Sequence, residues 1–225
     1  MALMRRKKAT ADYRVITGAD GNRYRFYCGL SGALVCTTGP YRAAAPEEEL
    51  LLAWETEGRQ HFNECRGCGR YVSNAMYNVE AWECVQCAPY EAEAKFCKSC
   101  GAQLDAPGRV CPRCGRPLMH PGKGSACDAE KAGYDTLEAF GFGPNVMRKT
   151  AVCGTCGRMA DAGASACPAC GGKLPEETLY DCYKRQHACC PACGTVLPPG
   201  SRYCPGCGKR IFCFGAGRRA RLGRP

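Results

Sequence analysis

FCKSCGAQLDAPGRVCPRCG, residues 96–115, places four cysteines in twenty residues, and each C-x-x-C pair is followed by glycine. Eight such pairs run along the chain: Cys65/Cys68, Cys84/Cys87, Cys97/Cys100, Cys111/Cys114, Cys153/Cys156, Cys167/Cys170, Cys190/Cys193 and Cys204/Cys207. Taken in order they make four sets of four, with ten residues between pairs in three sets and fifteen in the first. The three regular sets align as an internal repeat: CKSCGAQLDAPGRVCPRCGRPL, CGTCGRMADAGASACPACGGKL and CPACGTVLPPGSRYCPGCGKRI. Each is expected to read knuckle, short strand, turn, short strand, knuckle, closed by Leu118, Leu174 or Ile211.

The spacing has a physical reason. A C-x-x-C turn brings two sulfurs to one side, where both reach one ion at about 2.3 Å. Glycine after the second cysteine suits a left-handed backbone position, and the proline of CPRCG, CPACG and CPGCG pre-sets φ at the start of the turn. Tetrahedral thiolate suits zinc, with iron as the alternative; the ten-residue connection favours zinc, at about four ions. Redox dithiols of the thioredoxin type expect a βαβ context that this sequence lacks.

The totals agree with a metal-stapled chain. Cysteine is 22 of 225 residues, which points away from one large apolar core. The opening MALMRRKKATADYRV is basic but has no apolar stretch behind it, so no signal peptide is expected. No apolar run approaches a membrane span. A cytoplasmic, reducing location follows as the expectation, and there paired cysteines are metal ligands rather than disulfides. The formal charge of +10 counts thiols as neutral. A zinc ion on four thiolates carries −2, so four sites bring the chain near +2. Only the local distribution of charge can then indicate a partner.

The repeats resemble the zinc-ribbon family, particularly bacterial and archaeal proteins with double zinc ribbons, patchily over residues 65 to 213. That resemblance implies zinc on the sixteen paired cysteines. Residues 12 to 90, with NRYRFYCGLSGALVCTTGPYR and NVEAWECVQC, also resemble bacterial proteins described as containing a TFIIB-type zinc ribbon, which implies transcription by analogy of fold alone. The first ribbon departs from the repeat in its longer insert and in lacking proline in its second knuckle.

The expected fold class is small, metal-stabilised and β-rich: about four tandem ribbons behind an N-terminal β-hairpin-plus-helix unit, with short linker helices. The expected organisation is a basic tail (1–11), a β-plus-helix unit (12–64), ribbon 1 (65–90), ribbon 2 (96–118), a linker (119–150), ribbon 3 (151–174), a connector (175–189), ribbon 4 (190–213) and a basic tail (214–225). YRVITGADGNRYRFYC reads as a hairpin and SGALVCTTG as a third strand. PEEELLLAWETEGRQHF reads as a helix from Pro46 to about Gln60. Leu50, Leu51, Trp54 and Phe62 form its expected buried face, and its acids a solvated one. Short helices are expected near Asp128–Phe140 and in PEETLYDCYKRQHAC. Ribbons joined this way should behave as a string of beads with few contacts between them.

Six cysteines remain: Cys28, Cys36, Cys127, Cys182, Cys189 and Cys213. Cys28 and Cys36 are either two small buried residues or, with His61, a fifth metal site. Cys182, His187 and Cys189 offer a further partial set. No H-E-x-x-H or zinc-deaminase pattern occurs, HPGKGS fails as a phosphate loop, and four thiolates close a zinc shell, so no enzyme is expected. From Cys190 onward there are seven Lys or Arg and no Asp or Glu. Arg202, Lys209, Arg210, Arg218, Arg219, Arg221 and Arg224, with Phe212 and Phe214 among them, form a candidate nucleic-acid surface of phosphate-neutralising cations and base-stacking rings. Nucleic acid, RNA or DNA, acting through a transcription- or translation-associated adaptor is the first expected partner. A protein-interaction scaffold is the alternative, and rubredoxin-like iron electron transfer a third reading.

Overall fold

A computed structural model describes residues 9–90, 94–105, 108, 110–118, 137–198 and 200–211. They fall into two compact units that interleave along the chain. One draws on residues 1–90 and 122–187, the other on 91–121 and 188–225. The string of beads is thereby corrected: ribbons 1 and 3 share the first unit with the N-terminal sheet, and ribbons 2 and 4 share the second.

In the first unit, β1 (Asp12–Gly18) and β2 (Gly21–Tyr27) pair antiparallel from Asp12↔Tyr27 to Gly18↔Gly21 around a two-residue turn. Gly21 is required there: its φ is 135°, and a Cβ would lie 2.6 Å from the Tyr41 carbonyl oxygen. β3 (Leu34–Thr37) completes the sheet, with a register shift between Phe26 and Tyr27. The helix begins at Pro46 as expected. It runs α-helical only to Ala53 (α1), then widens into a π-turn over Trp54–Gly58 and a 3-10 turn over Arg59–His61. The widening seats Trp54 at the centre of the core, with ring centroids 5.0 Å from Phe26 and 4.9 Å from Tyr71.

Two expectations about the helix are corrected. Leu51 is 44% exposed rather than buried. Glu49, in the first turn, is only 6% exposed. Its carboxylate accepts hydrogen bonds from the Tyr24 hydroxyl (2.7 Å), the Asn22 amide (2.9 Å) and the Ala43 N–H (3.3 Å). The acidic first turn therefore fastens the helix to the sheet as well as complementing the dipole.

α2 (Pro144–Lys149) was not anticipated. It follows Gly143, whose φ is 105°, with proline at its first position. α3 (Leu179–Arg185) occupies the expected connector. Thr178 and Asp181 cap it reciprocally, and Leu179 and Tyr183 are buried. Of the other expected linker helix, residues 137–139 are helical and the preceding part lies outside the described residues. No helix among the described residues is long and apolar enough to cross a membrane.

Two measurements test this packing. A Cβ on Gly58 would come within 2.7 Å of the Trp54 ring and 2.9 Å of the Phe26 ring. Gly58→Ala should therefore cost about 1–3 kcal/mol by overpacking, read as a lower denaturant midpoint in Trp54 fluorescence. The Tyr24 hydroxyl, then Asn22, hold the Glu49 carboxyl below its usual range. A lowered carboxyl stabilises the fold above its unfolded-state pKa and loses that contribution as pH falls through the lowered value. Wild type should thus exceed Glu49→Gln in stability at pH 7, with the gap closing below about pH 4.

Candidate metal centres

Seven of the eight knuckles are each the turn of their own miniature hairpin. In ribbon 2, Phe96 pairs with Gln103 around Cys97–Cys100, and Val110 with Pro117 around Cys111–Cys114. Ribbons 3 and 4 repeat this at Val152↔Met159, Ala166↔Lys173, Cys189↔Val196 and Tyr203↔Arg210. In every case the residue before the first cysteine faces the residue six beyond it. The N–H of the first cysteine donates to the carbonyl five residues on, and the glycine N–H donates back to the cysteine carbonyl. For Cys97 these bonds are Cys97 to Ala102 and Gly101 to Cys97, both 2.8 Å. Gly101 has φ 74°, and the six other glycines that follow a paired cysteine lie between 67° and 77°. The expected order of knuckle, short strand, turn, short strand and knuckle holds in ribbons 2, 3 and 4, with one further bridging residue outside each knuckle.

The hairpins bring the sulfurs together. The four groups Cys65/Cys68/Cys84/Cys87, Cys97/Cys100/Cys111/Cys114, Cys153/Cys156/Cys167/Cys170 and Cys190/Cys193/Cys204/Cys207 each hold their Sγ atoms within 4.8 Å of one another. Sulfur–sulfur edges are 3.8 Å for Cys68–Cys84 and Cys97–Cys114, 3.6 Å for Cys153–Cys170, and 3.5 Å for Cys193–Cys204. A zinc–sulfur bond of about 2.3 Å in a tetrahedron sets an edge of about 3.8 Å. The spacing is too long for disulfides and fits one ion per group, so the chain holds four zinc sites. Four thiolates fill each shell and leave no open position for a reacting water.

Electrostatics prepares the sites for metal. Hydrogen bonds draw down one thiol in each group: Cys84 to about 5, first through the Cys87 thiol, and Cys111 to about 7, first through the Cys114 amide. Cys153 falls to about 6, first through the Cys156 amide, and Cys193 to about 6, first through the Thr195 hydroxyl. Burial pushes Cys65 up and Cys204 up to about 12. One ready thiolate per group offers an incoming cation its first ligand, and binding expels the remaining protons. Zinc affinity is accordingly lost as pH falls.

Ribbon 1 departs from the others at its second knuckle, where Ala88 replaces glycine and donates to the Cys84 carbonyl at 3.0 Å. Beside it Trp82 is 57% exposed at φ 57°, and the Arg66 guanidinium lies 4.7 Å from its ring centroid.

In the second unit the two ribbons interlock about a local pseudo-two-fold. The N–H groups of Lys95 and Phe96 donate to the Pro205 carbonyl at 2.9 and 3.0 Å, and those of Arg202 and Tyr203 donate to the Lys98 carbonyl at 2.9 and 3.0 Å. The Phe96 ring covers Gly208 and the Tyr203 ring covers Gly101; a Cβ on either glycine would sit 2.7 Å from the ring. The sequence reading missed these aromatics, whose signal is the ring immediately before the cysteine in FC and YC.

Among the described residues the remaining candidates are not brought together as a metal site. Cys28 is buried and its Sγ accepts the Ser73 N–H at 3.4 Å. Cys36 is half-buried, with its thiol pushed up by burial and then by Glu57, and His61 is exposed. The ring nitrogens of His187 lie 2.8 Å from the Tyr183 carbonyl oxygen and 3.0 Å from that of Val85. The Arg185 guanidinium donates to Cys182 Sγ at 3.3 Å. Cys127 and Cys213 lie outside the described residues, as do Phe212, Phe214, Arg218, Arg219, Arg221 and Arg224. Arg202, Lys209 and Arg210 are exposed on ribbon 4.

The interlock has a measurable consequence. Cys114→Ser opens ribbon 2 and removes support from Phe96 and Lys95. The ion of ribbon 4 should then leave to a competing chelator at least about tenfold faster, as expected for loss of about 1.4 kcal/mol or more. Release at the wild-type rate would mean the ribbons fold independently.

A family model described as double zinc ribbon matches residues 153–208, which span ribbons 3 and 4. No curated protein and no solved structure matches this chain. With four tetrathiolate groups of zinc geometry and that family match, the chain is a zinc-ribbon protein.

Proposed function

We propose that this zinc-ribbon protein is a non-enzymatic, nucleic-acid-binding adaptor of transcription or translation, and that it binds through the unit made by ribbons 2 and 4. The observation that carries the reading is the partition of charge. Residues 91–121 and 188–225 hold twelve Lys or Arg against three Asp or Glu, whereas the rest of the chain holds nineteen against eighteen. Two zinc sites add about −4 to each unit, so one stays clearly cationic and the other turns anionic. Lys95, Arg113, Arg116, Arg202 and Lys209 are all exposed. The hydrogen bonds of Arg202 and Tyr203 to Lys98 bring basic segments of both ribbons side by side. Such a surface suits a phosphate backbone.

A protein partner is the second reading, favoured by β1. Among the described residues it pairs only with β2 and exposes Tyr13 (44%) and Val15 (46%) on the outer strand, where a partner strand could add.

Binding of zinc-loaded protein to single-stranded RNA and duplex DNA across a salt series tests the proposal. Affinity should fall steeply with salt, by about 0.7 logarithmic units per phosphate contact on single strands. A variant ending at Lys209, and Arg202→Ala in the full chain, should each flatten that slope. Absence of binding at low salt with all zinc retained would sink the nucleic-acid reading and leave the protein-partner one standing.

A further inference from the structure

The stretch YCGLSGAL, residues 27–34, aligns with FCKSCGAQ, residues 96–103, at the start of ribbon 2, with Ser31 at the position of the second cysteine. Its backbone follows the same rules. Cys28 N–H donates to the Ala33 carbonyl at 2.8 Å, five residues on, and Gly32 N–H donates to the Cys28 carbonyl at 2.9 Å. Gly32 has φ 68°. Tyr27, before the cysteine, pairs with Leu34, six beyond it. The Ala33 N–H donates to Ser31 Oγ at 3.3 Å, as the amides of Ala102 and Gly172 do to Cys100 and Cys170. On these criteria residues 28–32 are closer to a zinc knuckle than the second metal knuckle of ribbon 1.

We infer that residues 27–34 are a ninth knuckle that carries no metal and serves as the surface on which ribbons 1 and 3 are mounted. A ribbon of the regular spacing would put its other two ligands at positions 42 and 45, which are Arg42 and Ala45. The place of a metal at Cys28 Sγ is taken by the Ser73 N–H of ribbon 1, and the Gly29 N–H donates to the Tyr71 carbonyl of the same ribbon at 3.0 Å. A Cβ on Gly29 would lie 3.1 Å from that oxygen, so the approach depends on glycine.

On the other side sits ribbon 3. Leu34 N–H donates to the Gly157 carbonyl at 2.8 Å, and Leu34 pairs in parallel with Arg158. The Tyr27 ring and Leu34 side chain both lie 3.5 Å from where a Gly157 Cβ would be. A ring from before one knuckle's cysteine thus lies against the glycine that ends another knuckle, a looser form of the relation that Phe96 has with Gly208, where the distance is 2.7 Å. The partner this surface fits is a folded, zinc-loaded knuckle that presents a bare glycine.

Two measurements on the full chain decide it. Bound zinc, counted after exhaustive dialysis, should be four ions per chain in wild type and in Ser31→Cys; a fifth retained ion in either overturns the metal-free assignment. The mounting role is tested by Gly157→Asn against Gly171→Asn, both in a Trp82→Phe background so that Trp54 alone reports. Gly171 ends the other knuckle of ribbon 3 with φ 69° against 77° for Gly157, and nothing lies within 4 Å of its Cβ position. Asparagine is tolerated in the left-handed region, so each variant should keep four ions. Gly157→Asn should lower the Trp54 melting midpoint by several degrees more than Gly171→Asn. Equal midpoints overturn the proposal.

Discussion

The tetrathiolate zinc site is the constraint on which everything else rests. A ribbon of this chain buries very little: the core of ribbon 2 is Cys97, Cys111 and Leu118, and that of ribbon 3 is Cys153, Cys167 and Leu174. Such clusters cannot offset the conformational entropy of ordering twenty or more residues. The ion replaces the missing apolar volume, and the cysteines that hold it are also most of the core. Glycine at the end of seven of the eight knuckles then does two things. It permits the left-handed turn, and it leaves a bare backbone face against which a ring can lie.

That bare face explains why the ribbons do not hang separately. Phe96 on Gly208 and Tyr203 on Gly101 form a reciprocal clasp, with backbone hydrogen bonds at both ends. Ribbons 2 and 4 are thereby joined across a long intervening stretch of chain. The double-ribbon family match covers ribbons 3 and 4, which are consecutive in sequence, yet these two fall in different compact units. Adjacency along the chain and adjacency in the fold are different things here, because the clasp is specified by a ring and a glycine rather than by linker length.

What was legible in the sequence follows the range of the interaction. C-x-x-C-G is a five-residue instruction closed by its own hydrogen bonds, so the four cysteine sets could be read directly. The hairpin of β1 and β2 and the proline start of α1 were local in the same way. The interleaving of the ribbons depends on contacts about a hundred residues apart, and no local pattern encodes it. Glu49 was read as a dipole-complementing surface acid, because its partners Tyr24 and Asn22 lie on a strand that only the folded sheet brings near. α2 was missed because GFGPN scores as a turn by composition; proline there opens the helix instead. Cysteine count alone leaves Cys28 and Cys36 open between small buried residues and, with His61, a metal site; Cys28 is the buried residue. Its real kinship lay in the glycine and the aromatic around it, with Ser31 hiding the repeat.

The metal also governs where charge can act. The formal +10 would suggest a uniformly basic protein, but each loaded site returns two negative charges to its own ribbon. In the unit of ribbons 1 and 3 the basic and acidic side chains nearly cancel, so the thiolates tip the balance to negative. In the unit of ribbons 2 and 4 the Lys and Arg excess survives the same subtraction. Screening limits exposed charges to neighbours within about 8 Å at physiological salt. The field that a polyanion would meet is therefore the local one of each unit rather than the net charge of the chain. The clasp that joins two ribbons also pools their cations, so on the proposed reading one unit supplies the cationic surface, while the other, with its inferred metal-free knuckle, carries the outer strand β1.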